Sequence, residues 1–103
     1  MARQSIDARL TALGEPNRRA IVDLLANGPL SVGELADRLP ITRPAVSQHL
    51  RVLSDAGLVS YEQRGTRNYY GLHPDAVAEV KDYLDAIWTK ALGKFKLRAE
   101  RKR

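Results

Sequence analysis

The sequence contains no cysteine among its 103 residues. This absence excludes disulfides, thiolate zinc sites and thiol-based redox sensing within the chain. Histidine is nearly as scarce, because His49 and His73 are the only two, too few for a zinc site of the usual protein-only kind. We therefore predict no bound metal and no cofactor.

Catalytic motifs and long apolar runs are also missing. There is no nucleophile–base pair, glycine-rich phosphate loop or HExxH motif, so we predict that the protein is not an enzyme. No apolar run approaches the roughly 18 residues of a transmembrane helix. The N-terminal residues MARQSIDARL lack the apolar stretch of a secretory signal. We expect a cytoplasmic protein without a membrane partner.

Positive charge exceeds negative charge. The chain has 17 Lys and Arg against 12 Asp and Glu, a net charge of +5. This balance favours a polyanionic partner, nucleic acid first and an anionic membrane surface second. The length and the 44% hydrophobic content predict one folded domain over residues 1–103.

The most informative segment covers residues 42–57, TRPAVSQHLRVLSDAG. Apolar residues recur there at steps of four and three, which predicts an amphipathic helix. Thr42 is a suitable N-cap, Pro44 is tolerated in the first turn, and Gly57 is placed for a left-handed C-cap. The apolar stripe consists of Val46, Leu50 and Leu53.

The opposite face of this helix carries amide, hydroxyl and guanidinium groups and has no carboxylate before Asp55. Such groups can pair with base edges in the major groove of DNA without repelling its phosphates. The alternative is an ordinary surface helix whose polar face is only solvated. The polar residues are Arg43, Ser47, Gln48, Arg51 and Ser54.

Shorter helices are predicted before this segment. The first covers residues 4–13, and the second begins at Pro16 with Arg18 and Arg19 on its outer side. At its length the first helix needs a surface to pack on. Its apolar side consists of Ile6, Leu10 and Leu13.

Ser31-Val32-Gly33-Glu34 is a capping box that opens a third helix, and Pro40 stops it. Only a short turn then separates this helix from the one after Thr42. Two helices in this arrangement predict a helix-turn-helix over residues 31–56. In that motif the second helix enters the major groove.

The residue pattern then alternates with a period of two, which predicts a β-hairpin over residues 58–72. Its turn lies at residues 64–67, where Gly65 is free to take a positive φ. Arginines at such a tip suit DNA phosphates or the minor groove, and the alternative is a solvated tip. The tip residues of interest are Arg64, Thr66 and Arg67.

The last helix is predicted over residues 74–97 and is followed by a basic tail, residues 96–103. The helix carries more apolar surface than one small domain can cover, so we expect a homodimer seam shared with the first helix. The tail is either solvated or in contact with the DNA backbone. The expected seam residues are Ile6, Leu10, Leu13, Val80, Leu84, Ile87, Trp88, Ala91, Leu92 and Phe95.

Three segments resemble the ArsR (arsenic-repressor-like) family of bacterial winged helix-turn-helix transcriptional regulators. They are ALGEPNRRAIVDLL (12–25), LSVGELADRLPITRPAVSQHLRVLSDAGLV (30–59) and RGTRNYYGL (64–72). The resemblance implies a mainly α fold with a small β-hairpin: five helices, a two-stranded wing and a long C-terminal dimerisation helix. It also implies a homodimer that binds an inverted-repeat operator in double-stranded DNA, with repression as the usual outcome.

The resemblance assigns DNA contacts to two groups of residues. His49 has a second interpretation, as a structural histidine wedged at the edge of the core, and the two stay open. Arg18 and Arg19 are expected to hold phosphates. The recognition-helix positions are Thr42, Arg43, Pro44, Ser47, Gln48, His49 and Arg51, and the wing positions are Arg64, Thr66 and Arg67.

The metal sites of many family members have no counterpart here. The recognition helix and its approach contain no Cys, and the last helix has Asp82 and Asp85 but no His. The sequence YLDAIWTKALGKF resembles a metal-independent subgroup that includes regulators repressing their own operons. We therefore predict a sequence-specific DNA-binding repressor without metal sensing, with its own promoter as a candidate operator. An unidentified small-molecule or protein effector stays open, and the alternative function is a winged-helix protein-interaction module that does not read DNA.

Overall fold

The computed structural model describes residues 5–101, with side chains described as far as Phe95. Within this range the predicted mainly α fold with a β-hairpin and a long last helix is confirmed. The elements are α1 (Ile6–Leu13), α2 (Pro16–Leu25), β1 (Leu30–Ser31), α3 (Val32–Arg38), α4 (Arg43–Asp55), β2 (Val59–Arg64), β3 (Arg67–Leu72) and α5 (Pro74–Arg101).

Side-chain caps define where the first four helices begin. In the predicted capping box, the Glu34 backbone N–H donates to the Ser31 hydroxyl at 3.2 Å, and the Ser31 N–H donates to the Glu34 carboxylate at 3.0 Å. Each bond satisfies a donor that the helix itself leaves free. The N-caps of α1 to α4 are Ser5, Glu15, Ser31 and Thr42.

Helix α4 ends as its glycine predicts. Gly57 has φ +74°, and its N–H donates to the Ser54 carbonyl at 2.9 Å. The Leu58 N–H donates to the Leu53 carbonyl at 3.0 Å. This pair of bonds is a Schellman motif, and it turns the chain directly from the recognition helix into β2.

The sheet has three antiparallel strands in the order β1-β3-β2. The sequence pattern predicts only the two strands of the hairpin, because β1 has two residues and their pattern is indistinguishable from that of a loop. The hairpin turn is shorter than the predicted one: Arg64 pairs with Arg67, so only Gly65 and Thr66 form the loop. Gly65 has φ +63°, as the first loop position of a type II′ hairpin requires.

The core lies where α4 packs on α2, α3 and the start of β2. The predicted apolar stripe of α4 is completely buried, since Val46, Leu50 and Leu53 are each 0% exposed. Burial of this face orients the polar face of α4 outward. The buried core residues are Ala12, Ile21, Leu25, Leu35, Val46, Leu50, Leu53, Ala56, Leu58, Val59 and Ala76.

Helix α5 packs on the rest of the chain only through its beginning. Ala76 is buried and Val80 is half-buried, whereas every residue from 81 to 95 is exposed. The helix runs to Arg101, beyond the predicted end at residue 97. The side chains of the basic tail 96–103 lie outside the described residues. In the described part, no helix combines the length and apolar character needed to cross a membrane.

Candidate nucleic-acid interface

The polar face of α4 is open to solvent. Its N-cap Thr42 accepts a hydrogen bond from the Ala45 N–H at 3.3 Å, which fixes the residue at which the exposed end of the helix begins. Within α4 the first acidic residue is Asp55, at the far end. The predicted contact residues that are exposed on this face are Thr42, Arg43, Pro44, Ser47, Gln48 and Arg51.

The start of α4 and the tip of the wing meet at one cleft. Arg43 of α4 and Thr66 and Arg67 of the hairpin line the same space of about 350 Å³. Residues predicted separately for the recognition helix and for the wing are therefore neighbours. The remaining lining residues come from β1, α3 and β3: Ser31, Val32, Gly33, Glu34, Asp37 and Asn68.

Gly33 leaves room for the Arg43 side chain to pack against α3, a role that the sequence pattern does not predict. A Cβ at Gly33 would lie 3.1 Å from a terminal guanidinium nitrogen of Arg43 and 3.4 Å from its Cζ. The guanidinium therefore lies against the bare backbone of α3. One feature of the sequence indicates such a role: Gly33 lies inside a predicted helix, where alanine would form the helix better, so a glycine there points to a close contact.

Two acidic residues line this cleft, Glu34 and Asp37, and Glu34 is already hydrogen-bonded to Ser31. Hydrogen bonds from the backbone N–H and then the hydroxyl of Ser31 lower the pKa of the Glu34 carboxyl, and the charges of Arg38 and Arg67 add to the effect against partial desolvation. Glu34 therefore stays ionised as a cap of α3 near Arg67. Its negative charge partly offsets the wing arginine before any DNA is bound.

Arg64 is held on the hairpin by its neighbours. Its Nε donates to the Glu62 carboxylate at 3.2 Å, and its guanidinium carbon lies 5.4 Å from the centre of the Tyr69 ring. Glu62 and Tyr69 therefore hold the Arg64 guanidinium against the strands of the hairpin. Arg67 has neither of these contacts and faces the cleft with Thr66.

His49 lies between α4 and the beginning of α2. Its side chain is 19% exposed, and its Nδ1 lies 3.7 Å from a carboxylate oxygen of Glu15. Burial opposes ionisation of Glu15, but backbone hydrogen bonds from Arg18 and Asn17 and the nearby charges of His49 and Arg18 lower its pKa overall. This placement favours the structural interpretation of His49 over direct base contact.

Arg18 and Arg19 both contact the end of α1. The Nε of Arg18 donates to the Ala12 carbonyl at 2.7 Å, and a terminal nitrogen of Arg19 donates to the Leu13 carbonyl at 2.8 Å. These carbonyls belong to the negative end of the α1 dipole. Each guanidinium has five N–H donors, so a DNA phosphate would use those left over.

The ten predicted seam residues are all at least partly exposed in the single chain. Ile6, Leu10, Leu13 and Val80 are half-buried, and the other six are exposed. Trp88 and Phe95 are the most open, at 65% and 70%. Leu13, Val80 and Leu84 line one apolar groove of about 340 Å³ between α1 and α5, together with Val22, Leu58 and Val77.

Among residues 5–101 no group of three or more His, Asp or Glu side chains is arranged to hold a metal ion. The arrangement brought together here is an exposed, carboxylate-poor helix beside an arginine-bearing hairpin. Together with the buried opposite face of α4, it defines a winged helix-turn-helix protein of the DNA-binding class.

Comparison with known proteins gives the family. The model of bacterial regulatory proteins of the arsR family matches residues 15–61. The HTH-type transcriptional regulator Rv2034 of Mycobacterium tuberculosis is 53% identical over 89 residues, which are 86% of this chain and 83% of that protein. The chain belongs to the ArsR family of bacterial transcriptional regulators.

Two further comparisons, one of sequence and one of structure, agree with this family. The transcriptional repressor SdpR of Bacillus subtilis is 37% identical over 62 residues, which are 60% of this chain and 69% of that protein. The crystal structure of a possible transcriptional regulator for arsenical resistance superposes with a TM-score of 0.73 at 42% identity, covering 82% of this chain and 86% of that one.

Proposed function

We propose that this protein is a homodimeric repressor that binds an inverted-repeat operator and does so without sensing a metal. The observation that carries the proposal is the cleft at which Arg43 of the recognition helix meets Thr66 and Arg67 of the wing. A helix in the major groove and a wing on the adjacent backbone can then bind one half-site together.

The two groups of residues have different roles in this proposal. Ser47, Gln48 and Arg51 read base edges, because they are exposed on the face of α4 that lacks carboxylates. Thr42 and Pro44 lie at the start of α4, where it approaches the sugar–phosphate backbone of the DNA. Phosphates are held by Arg43, Arg64, Thr66 and Arg67, and by the unused N–H groups of Arg18 and Arg19. His49 packs between α4 and the beginning of α2 and stabilises the position of α4.

The unpartnered face of α5 supports the dimer. Leu84, Ile87 and Trp88 are 53%, 48% and 65% exposed in the single chain, and they continue from the groove that contains Leu13 and Val80. A second copy related by a twofold axis would cover both the exposed apolar face of α5 and this groove. The same symmetry would place two recognition helices in successive major grooves, about 34 Å apart.

Two sequence features support independence from metal. The chain has no Cys, and its last helix has no His to pair with Asp82 or Asp85. The dimer then represses according to its own concentration, or responds to an apolar small molecule or a protein partner at the Trp88 seam. Trp88 is the single tryptophan of the chain, so fluorescence excited selectively at tryptophan reports on this seam during a metabolite screen.

The direct test is fluorescence anisotropy with DNA from upstream of the protein's own gene and with scrambled DNA, over a series of salt concentrations. A preference of about a thousandfold or more supports operator-specific repression. Equal binding that falls steeply with salt contradicts recognition of this promoter. No binding at low salt favours the protein-interaction module instead.

Gln48→Ala is expected to reduce discrimination between operator and scrambled DNA by about 1–3 kcal/mol per half-site, because a bidentate amide contact to a base is lost. Binding to scrambled DNA should hardly change. Asn27→Ala is the matched control, since Asn27 is an exposed amide in the turn after α2, outside both α4 and the wing. Unaltered discrimination in Gln48→Ala would refute the assignment of the reading face.

Arg67→Ala is expected to weaken binding to operator and scrambled DNA alike, because a phosphate contact carries no sequence information. The slope of log affinity against log salt should fall by about one unit. Arg67→Lys keeps the charge and should keep the slope. A change confined to operator DNA would show that Arg67 reads bases.

A further inference from the structure

A buried arginine links three helices at a point away from the DNA-reading face. Arg9 of α1 is only 8% exposed. Its Nε donates to the Ala56 carbonyl at 3.1 Å, and its guanidinium forms an ion pair with Glu79 of α5. Ala56 is the C-cap of the recognition helix α4. One side chain therefore contacts both the recognition helix and the long helix.

The contacts of Arg9 are constrained by its burial. A guanidinium stays charged at all relevant pH values, so a buried one requires partners. The Schellman motif after α4 uses the carbonyls of Leu53 and Ser54 and leaves that of Ala56 to Arg9. The negative end of the α4 dipole adds to this attraction.

Helix α1, which carries Arg9, packs on both α4 and α5. Each of the three helices contributes a buried alanine: Ala12 is 1% exposed, Ala56 4% and Ala76 3%. Apolar packing of such small side chains has no preferred direction, whereas the hydrogen bond from the Arg9 Nε to the Ala56 carbonyl has one. Arg9 thus supplies directionality that the alanines lack.

The geometry points to Arg9 as a positioning residue that fixes the angle between α4 and α5 and so sets the separation of the two recognition helices. This inference rests on the proposed dimer and operator. Because the proposed seam runs along α5 from Val80 to Phe95, α5 is fixed relative to the twofold axis, and a rotation of α4 relative to α5 displaces each recognition helix from that axis. The two recognition helices of the dimer then bind both half-sites together only when Arg9 contacts both Ala56 and Glu79.

The test uses Glu79→Ala, with Asp82→Ala as the matched control. Both remove one exposed carboxylate from α5, and Asp82 lies off the apolar seam. The two DNA probes are a duplex selected by the native protein and the same duplex with one half-site scrambled. Loss of a negative charge by itself favours DNA binding, so Asp82→Ala should bind both probes as well as or better than the native protein.

Glu79→Ala is expected to bind the two-half-site duplex about 2- to 30-fold more weakly and the one-half-site duplex unchanged. Sedimentation should show an unaltered dimer. Arg9→Lys should restore part of the native preference relative to Arg9→Met, because a lysine can still bond one of the two partners.

Three results would overturn the positioning role of Arg9: Glu79→Ala behaving like Asp82→Ala, equal weakening on both probes, or dissociation of the dimer. A native protein without any preference between operator and scrambled DNA would contradict the proposed function itself. The two failures are therefore distinguishable.

Discussion

Ile87→Asp is expected to dissociate the dimer and to weaken binding to two-half-site DNA by about a hundredfold or more. Ile87 is 48% exposed in the single chain and lies on the apolar stripe of α5. A twofold axis would place two unpaired carboxylates in one apolar seam. A cost of about 3 kcal/mol is reasonable for such burial, and each 1.4 kcal/mol corresponds to a tenfold change in affinity.

Thr89→Asp is the control for this variant. At 3.6 residues per turn, Thr89 lies on the side of α5 opposite the stripe, and it is exposed. Thr89→Asp adds the same negative charge to α5 as Ile87→Asp and should leave the dimer intact. Sedimentation equilibrium gives the oligomeric state, and the emission of Trp88 should shift to the red as the seam opens. A dimer that survives Ile87→Asp would place the interface elsewhere.

Leu53→Ala is expected to lower the free energy of unfolding by about 2–5 kcal/mol. Leu53 is 0% exposed on the inner face of α4, so the substitution leaves a cavity beneath the recognition helix. That loss is a large part of the 5–15 kcal/mol by which domains are usually stable. Urea unfolding at fixed protein concentration measures it, because dimerisation adds a concentration-dependent contribution.

Leu53→Met serves as the matched variant. It keeps the volume and should cost less than about 1.5 kcal/mol. At temperatures where both variants stay folded, their preference for operator over scrambled DNA should equal that of the native protein, since Leu53 does not reach the outer face. A loss below about 1 kcal/mol in Leu53→Ala would contradict the packing described for α4.

The recognition helix was the most predictable element. Its N-cap, its buried stripe and its terminating glycine are local signals, and the structure places each where the pattern indicates. Pairing in the hairpin was predictable from the alternating pattern, but the length of its turn was not. The register that joins Arg64 to Arg67 depends on contacts along both strands.

Several contacts of the candidate site depend on residues far apart in sequence. The strand β1 exists only because Leu30 and Ser31 pair with Tyr70 and Tyr69. The position of His49 against Glu15 likewise needs α2 and α4 in place. Sequence patterns report the face on which a residue lies, but not which distant group it meets.

The sequence by itself determined the capping box of α3, the outward polar face of α4 and the apolar excess of α5, because capping and periodicity act over a few residues. Only the tertiary structure decided that Arg43 meets the wing over Gly33 and that Arg9 joins α4 to α5. The bond from Arg9 to Ala56 bridges 47 positions along the chain, and the ion pair from Arg9 to Glu79 bridges more. They form only when the packed core has set the positions of all three helices at once.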